Sequence, residues 1–285
     1  MLLRYLGWLS FAATRHLGEI VGDLVFLGGG DMVRVTRANL SACFPELPND
    51  ALNRLARDSL RQTGRYAAEF GIAWRAADQR WKSLIVSIDG LETIDDAQRS
   101  GRGVLILVPH YGNWEMLNLF LGARYQLTAL YDPPRIVELD PQVRTGRMRT
   151  GSVLVPTTAA GIRTVYGALK QGKVVALLPD QAPPVSAGIY APFFGRPALT
   201  MTLAYRLARK ATPRVVLGYA RRMPGTAGFR LGFEVLSEME SAGHAEPALA
   251  AMNAAIERLV RNDPAQYQWE YKRFKRPTEP TDRLY

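Results

Sequence analysis

Residues Val104 to Glu115 read VLILVPHYGNWE, and the rest of the chain can be laid out around them. Val104 to Val108 are five apolar residues bounded by Gly103 and Pro109, the pattern of a buried strand. After them come His110, a glycine, an Asn able to cap a helix, and an acid, followed by the helix-favouring run Met116 to Tyr125. This order predicts strand, tight loop and helix start, with the loop at the carboxyl end of a strand, where open α/β sheets place their sites. On an unbroken helix His110 and Glu115 would point about 140° apart. With His110 in the loop and Glu115 in the first helical turn, the spacing suits a base and its orienter.

A structural role for either residue stays open at this point, since an acid in a first turn is expected from the helix dipole alone. His110 nevertheless has no rival, because the other two histidines, His16 and His244, have no comparable setting. The single cysteine, Cys43, excludes an internal disulfide and fits a reducing compartment; without a nearby His it reads as packing. No metal-ligand spacing occurs, and no metal or cofactor is expected. A chain of 285 residues with 47% hydrophobic and 22% charged residues has the composition of a globular protein with a large core. The net charge is +10, and between Pro141 and Phe233 fourteen Lys or Arg face one acid, Asp180. Such a region meets phosphates or an acidic partner. Nucleic acid is disfavoured by the absence of zinc-finger spacing, a basic zipper or an RNA-binding signature.

Three segments are expected, 1–30, 31–276 and a tail, 277–285. In the first, Leu2, Leu6, Leu9, Ala13, Leu17, Ile20, Leu24 and Leu27 recur at helical spacing, while Arg4, Arg15, Glu19 and Asp23 interrupt any spanning run. This predicts an amphipathic helix lying on a membrane; burial against the chain's own domain is the competing reading. A signal peptide fits poorly, because no small-residue cleavage site follows the short apolar core. Residues 34–47 read as a linker, Asp50 as the cap of a helix to Trp74, and 83–88, 127–131, 153–155, 174–178, 214–220 and 229–236 as strands separated mostly by helices. Residues 183–198 read as a Gly/Pro-rich loop and the tail after Pro277 as disordered.

Several blocks carry a family likeness. HYGNWE after an apolar strand resembles the lysophospholipid acyltransferase superfamily, and within it the lauroyl/myristoyl transferases of lipid A biosynthesis. Pro179-Asp180-Gln181, Phe193-Phe194-Gly195-Arg196-Pro197-Ala198, the N-terminal Asn39-Leu40 with Cys43-Phe44-Pro45-Glu46, and the closing QYQWEYKRFKRP resemble the same family. The likeness spans Asn39 to Lys275. It implies an α/β fold with a central mixed, mostly parallel sheet flanked by helices, glycerol-3-phosphate acyltransferase-like, behind an N-terminal amphipathic helix. It also implies an acyl carrier protein thioester as donor, an anionic glycolipid precursor of lipid A as acceptor, and the cytoplasmic face of the inner membrane as location. One departure is clear: relatives carry Arg after the strand-ending Tyr and an Asn-Pro pair beyond it. Here Asp132 and Ile136-Val137 stand in those places, with Arg135 left to supply the charge. The departure keeps open another envelope glycolipid as acceptor, such as a phosphatidylinositol mannoside. A non-catalytic basic membrane-binding protein is the reading from a different class.

Acyl transfer from a thioester to a hydroxyl needs a base for the hydroxyl proton and donors for the oxyanion. The expected assignment has His110 as base, Glu115 fixing its tautomer, and amides near Asn113 or a nearby Arg serving the oxyanion. Arg147, Arg149 and Arg163 are expected to hold acceptor phosphates, with Gln181 beside them. Asp180, a lone carboxylate among cations, is expected to stay ionised and to pin Arg163.

Overall fold

The computed structural model describes residues 6–134 and 136–285. In chain order the longer elements are α1 (Phe11–Gly28), α2 (Asp31–Cys43), α3 (Asn49–Arg75), α4 (Asp78–Ser83), β1 (Ile85–Asp89), α5 (Glu92–Arg99), β2 (Val104–Leu107), α6 (Trp114–Tyr125), β3 (Thr128–Tyr131), α7 (Asp140–Met148), β4 (Val153–Pro156), α8 (Ala159–Lys170) and β5 (Val174–Leu177). The hairpin β6 (Gly188–Phe193) and β7 (Arg196–Met201) follows. After it come α9 (Leu203–Ala211), β8 (Arg214–Arg222), β9 (Phe229–Val235), α10 (Ser237–Ser241) and α11 (Ala245–Asn262).

Seven strands form one sheet in the order β1-β9-β8-β2-β5-β3-β4. Every neighbouring pair is parallel except β8 with β9, so the sheet is mixed and mostly parallel, as expected. Its central strands are buried on both faces, which explains their unbroken apolar runs. Alternate residues serve opposite layers. Leu105, Leu107, Val175 and Leu177 pack against α8, α9 and α11, while Val104, Ile106, Val174 and Ala176 pack against α5 and α6.

The N-terminal helix packs on the domain through one face only. Leu17, Ile20, Leu24 and Leu27 point outward, with Leu24 64% and Leu27 75% exposed, while Thr14, Arg15, Gly18 and Gly22 face the protein. A Cβ on Gly18 would lie 2.4 Å from Cα of Arg65, and one on Gly22 2.5 Å from Cα of Arg61, so α1 and α3 touch backbone to backbone. Ion pairs of Asp23 with Arg57 and Arg61, and of Glu19 with Arg65, border the contact. Arg15 reaches the carbonyl of Met223 at 2.9 Å. The helix is therefore docked on its small-residue face and leaves its apolar face uncovered. No helix among the described residues is long and apolar enough to cross a membrane. Leu2 of the stripe, and Arg4, lie outside the described residues.

Four expectations change, the smallest being that the helix expected to be capped by Asp50 starts at Asn49, with Pro48 at its cap. The linker at 34–47 is mostly helix, because Val33, Thr36, Leu40 and Cys43 fall on one helical face and are buried. Burial among these groups pushes the Cys43 thiol up to about 12, in keeping with a packing role. Within 183–198 the loop contains β6 and continues into β7, paired antiparallel through a turn at Phe194 and Gly195, both at positive φ. The tail is seated: the Tyr285 hydroxyl bonds the Asn39 side chain and accepts from the Phe274 amide at 3.3 Å.

Candidate active site

β2 and β5 are parallel neighbours in register, with Leu107 opposite Leu177. His110 stands three residues beyond Leu107 and Asp180 three beyond Leu177, so the sheet delivers the two side chains to one place. His110 Nδ1 lies 2.8 Å from Asp180 Oδ1, and the His110 amide donates to Oδ2 at 2.8 Å. A carboxylate only accepts, so Nδ1 carries the ring proton and Nε2 presents its lone pair. Gln181 Nε2 lies 3.2 Å from that nitrogen. Burial pushes the Asp180 carboxyl up, but the charge of His110 and the hydrogen bonds from its ring and amide outweigh burial. The carboxyl is held below its usual range.

The orienter expected from spacing is therefore replaced. Glu115 is 1% exposed and turns into the protein, where Trp74 Nε1 donates to it at 3.0 Å and Arg147 grips it through Nη2 at 2.7 Å and Nε at 3.0 Å. The physical reason lies in α6: with Asn113 as N-cap, Glu115 points toward α3 and α7 rather than back over the loop. The expected pairing of Asp180 with Arg163 also fails. Arg163 is exposed on α8, and Asp180 faces His110 because its strand is next to β2.

The other expected substrate contacts divide. Arg147 lines the cavity described below, but Glu115 neutralises it and it stacks 4.4 Å from the Trp114 ring centroid. The nearby carboxylate raises its basicity even though burial works the other way. Arg149 is drawn to the Ala73 carbonyl and Asp78, each at 2.9 Å. Asn113 is buried and structural, since Oδ1 caps the Met116 amide at 3.2 Å and Nδ2 donates to Glu69 at 2.7 Å. Its own amide donates to the Ala220 carbonyl, and that of Gly112 to Gln266, so neither amide is free for an oxyanion. Gln181 alone among them borders His110. Arg135 lies outside the described residues, and Asp132 sits at the cavity rim near Thr157.

Two cavities meet at His110, Trp114 and Gln181. The larger, of about 730 Å³, has walls that include Leu117, Leu121, Leu127, Ala129, Ala176 and Met201. The smaller, of about 200 Å³, mixes polar groups with ring surface: Gln62, Thr63 and Tyr66 of α3, Arg222, Gln268 and Glu270, and the rings of Trp114 and Tyr267. None of these polar residues stood out in the sequence. Beside them Glu69 and Arg222 form a pair with both side chains 1% exposed. Among the described residues no group of three or more His, Cys, Asp or Glu is disposed to hold a metal ion.

The basic region also sorts itself. Arg214, Arg221 and Arg230 join Arg147, Arg149 and Arg222 in ion pairs, while Arg163, Lys170, Arg206, Arg209 and Lys210 are exposed on the adjoining helices α8 and α9.

Over residues 1–276 the sequence matches the family described as bacterial lipid A biosynthesis acyltransferase. It is 29% identical to the lipid A biosynthesis palmitoleoyltransferase of Escherichia coli (strain K12) over 85% of this chain and 78% of the relative. Identity to the lauroyltransferase of the same organism is 27%, over 94% of this chain and 87% of that protein. To its myristoyltransferase it is 26%, over 91% and 79% respectively.

Proposed function

This chain belongs to the bacterial lipid A biosynthesis acyltransferase family, and from that premise we propose that it moves a fatty acyl chain from an acyl carrier protein thioester to a hydroxyl of a lipid A precursor at His110. The family places the chain among O-acyltransferases of lipid A; the donor, the residues and the order of events are our reading. The observation that carries it is His110 at the junction of the two cavities, its Nδ1 proton held by a buried carboxylate and its Nε2 on the cavity side, beside the Gln181 amide.

In this reading the acyl chain lies in the apolar cavity with its carbonyl carbon beside Nε2. As the acceptor hydroxyl attacks that carbon, Nε2 takes its proton and the C–O bond forms. The Asp180 carboxylate stabilises the imidazolium, and Gln181 Nε2 is the donor nearest the forming oxyanion. Collapse expels the thiolate, which takes the proton back from Nε2. Direct attack needs no acyl-enzyme, and Cys43 is buried away in the α2 packing. Glu115 and Arg147 act on the wall of the cavity rather than on the proton. The acidic carrier docks on the cations of the basic region that are left exposed. The uncovered leucines of α1 hold the enzyme on the cytoplasmic face of the inner membrane.

His110→Ala tests the assignment. It should lower turnover by about 10²–10⁴-fold, the usual contribution of a general base. A folded variant with near-wild-type rate on carrier-bound donor and lipid A precursor would end it.

A further inference from the structure

The smaller cavity has no task in the chemistry above, yet its walls are unfinished. Gln62 Oε1, Gln268 Oε1 and Glu270 Oε2 are buried with no hydrogen-bond partner in the protein. The other Glu270 oxygen is anchored, accepting from the Thr63 hydroxyl at 3.0 Å. Buried polar atoms rarely stay unpaired, so a cluster of them beside a base marks the place of a ligand. Its charge character narrows the ligand. The one arginine of the chamber, Arg222, is already matched by Glu69 through Nε at 2.9 Å. Burial pushes the Glu270 carboxyl up, toward its neutral form, against the hydrogen bonds from its own amide and from Thr63 and Gln268. Among the described residues that line the chamber, the Arg222 guanidinium is paired with a carboxylate, although its Nη2 makes no well-directed hydrogen bond. The chamber suits an uncharged segment rich in amide and hydroxyl groups.

A thioester on a carrier protein is one continuous strand that changes character at its reacting carbon. On one side is hydrocarbon; on the other, past the sulfur, are the amides and hydroxyl of pantetheine. The enzyme's interior changes character at the same point, from the apolar cavity to the polar one, with His110, Trp114 and Gln181 lining both. We propose that the polar chamber seats the pantetheine arm of the donor, with Gln62, Gln268 and Glu270 as its hydrogen-bonding residues. The inference rests on the thioester-donor reading above. It also assigns the acceptor a different approach, along the rim of the larger cavity where Asp132, Arg147 and Arg206 stand.

The test uses the full chain in detergent with saturating lipid A precursor and three donors bearing the same acyl group: carrier protein, free pantetheine, and N-acetylcysteamine, which lacks most of the arm. Gln62→Ala and the near-isosteric Glu270→Gln, each with its melting curve recorded, are compared with wild type. The expected result is a donor KM raised about tenfold for the carrier and pantetheine thioesters, as for loss of one hydrogen bond to an uncharged group, with little change in acceptor KM. The N-acetylcysteamine thioester should be turned over alike by wild type and variants. A rise in acceptor KM with donor constants untouched would place the acceptor in the chamber and overturn the proposal. Unchanged constants in folded variants would leave only water there and would also overturn it. The donor reading fails separately: if a coenzyme A thioester outperforms the carrier-bound one, the carrier is wrong, while the pantetheine pattern still decides the chamber.

Discussion

Asp180→Asn and Glu115→Gln are expected to fail in opposite ways. The Asp180 carboxylate holds Nδ1 at 2.8 Å, and that bond strengthens as the imidazolium forms. A hydrogen bond to a charged group contributes about 1.5–3 kcal/mol, which is about 10- to 150-fold in rate. An Asn amide also turns an N–H toward Nδ1, favours the tautomer with its proton on Nε2 and so removes the lone pair that does the work. The combined loss in kcat should reach about 10²–10⁴-fold, the whole contribution of the base. Both KM values should change little. Glu115→Gln instead leaves Arg147 without its countercharge inside the protein. Breaking such a pair costs about 3–5 kcal/mol, so the variant should melt well below wild type while its folded fraction keeps a kcat within about threefold. Steady-state kinetics on both variants, with unfolding curves, separate the roles. If Asp180→Asn keeps its kcat while Glu115→Gln loses it at an unchanged melting temperature, the dyad is His110 with Glu115 after all.

Acid should expose the same bond thermodynamically. Because the folded carboxyl of Asp180 is held below its usual range, the stability it contributes is complete above pH about 4 and is lost as pH falls through the lowered value. The melting gap between wild type and Asp180→Asn should therefore shrink from pH 7 toward pH 3, and a constant gap would refute the linkage. Gly18→Val forces a side chain into the α3 backbone and should cost about 1–3 kcal/mol, with faster proteolysis near Gly29 and Gly30; an unchanged protein would mean that α1 is not docked in solution. Activity at low carrier-linked donor should fall with salt, since exposed charges are screened beyond about 8 Å at physiological ionic strength. Indifference to salt would argue against docking on the basic region.

Much of this architecture is legible in local pattern. Short apolar runs punctuated by Gly and Pro mark the strands, and helices separate most of them as expected. What local pattern hides is which strands become neighbours. Proximity in sequence matches His110 with Glu115, five residues away, whereas its partner is seventy residues away and adjacent through the sheet. A signal existed: VLILVPH and VVALLPD have the same length, the same Pro in the sixth place and a titratable residue in the seventh. The hairpin was hidden for a different reason. Its prolines, Pro192 and Pro197, argue against a strand, but they face each other in a two-stranded ribbon whose outer edges need no further partner. The polar chamber was not legible, because its walls come from α3, β8 and the segment 266–270, which no periodicity connects.

The register of β2 on β5 also sets what kinds of sequence change the centre can survive. Each residue of strand advances the chain by about 3.3 Å and reverses the side to which the next side chain points. A deletion or insertion of one residue between Gly103 and His110, or between Lys173 and Asp180, would move one member of the pair and not the other. Substitutions within either run that keep its apolar volume leave the pair where it is. So do length changes on the surface between β3 and β4, which lie outside both spans. Compensation is possible only by the same change in both strands at once, so these two spans should vary in composition while keeping a common length.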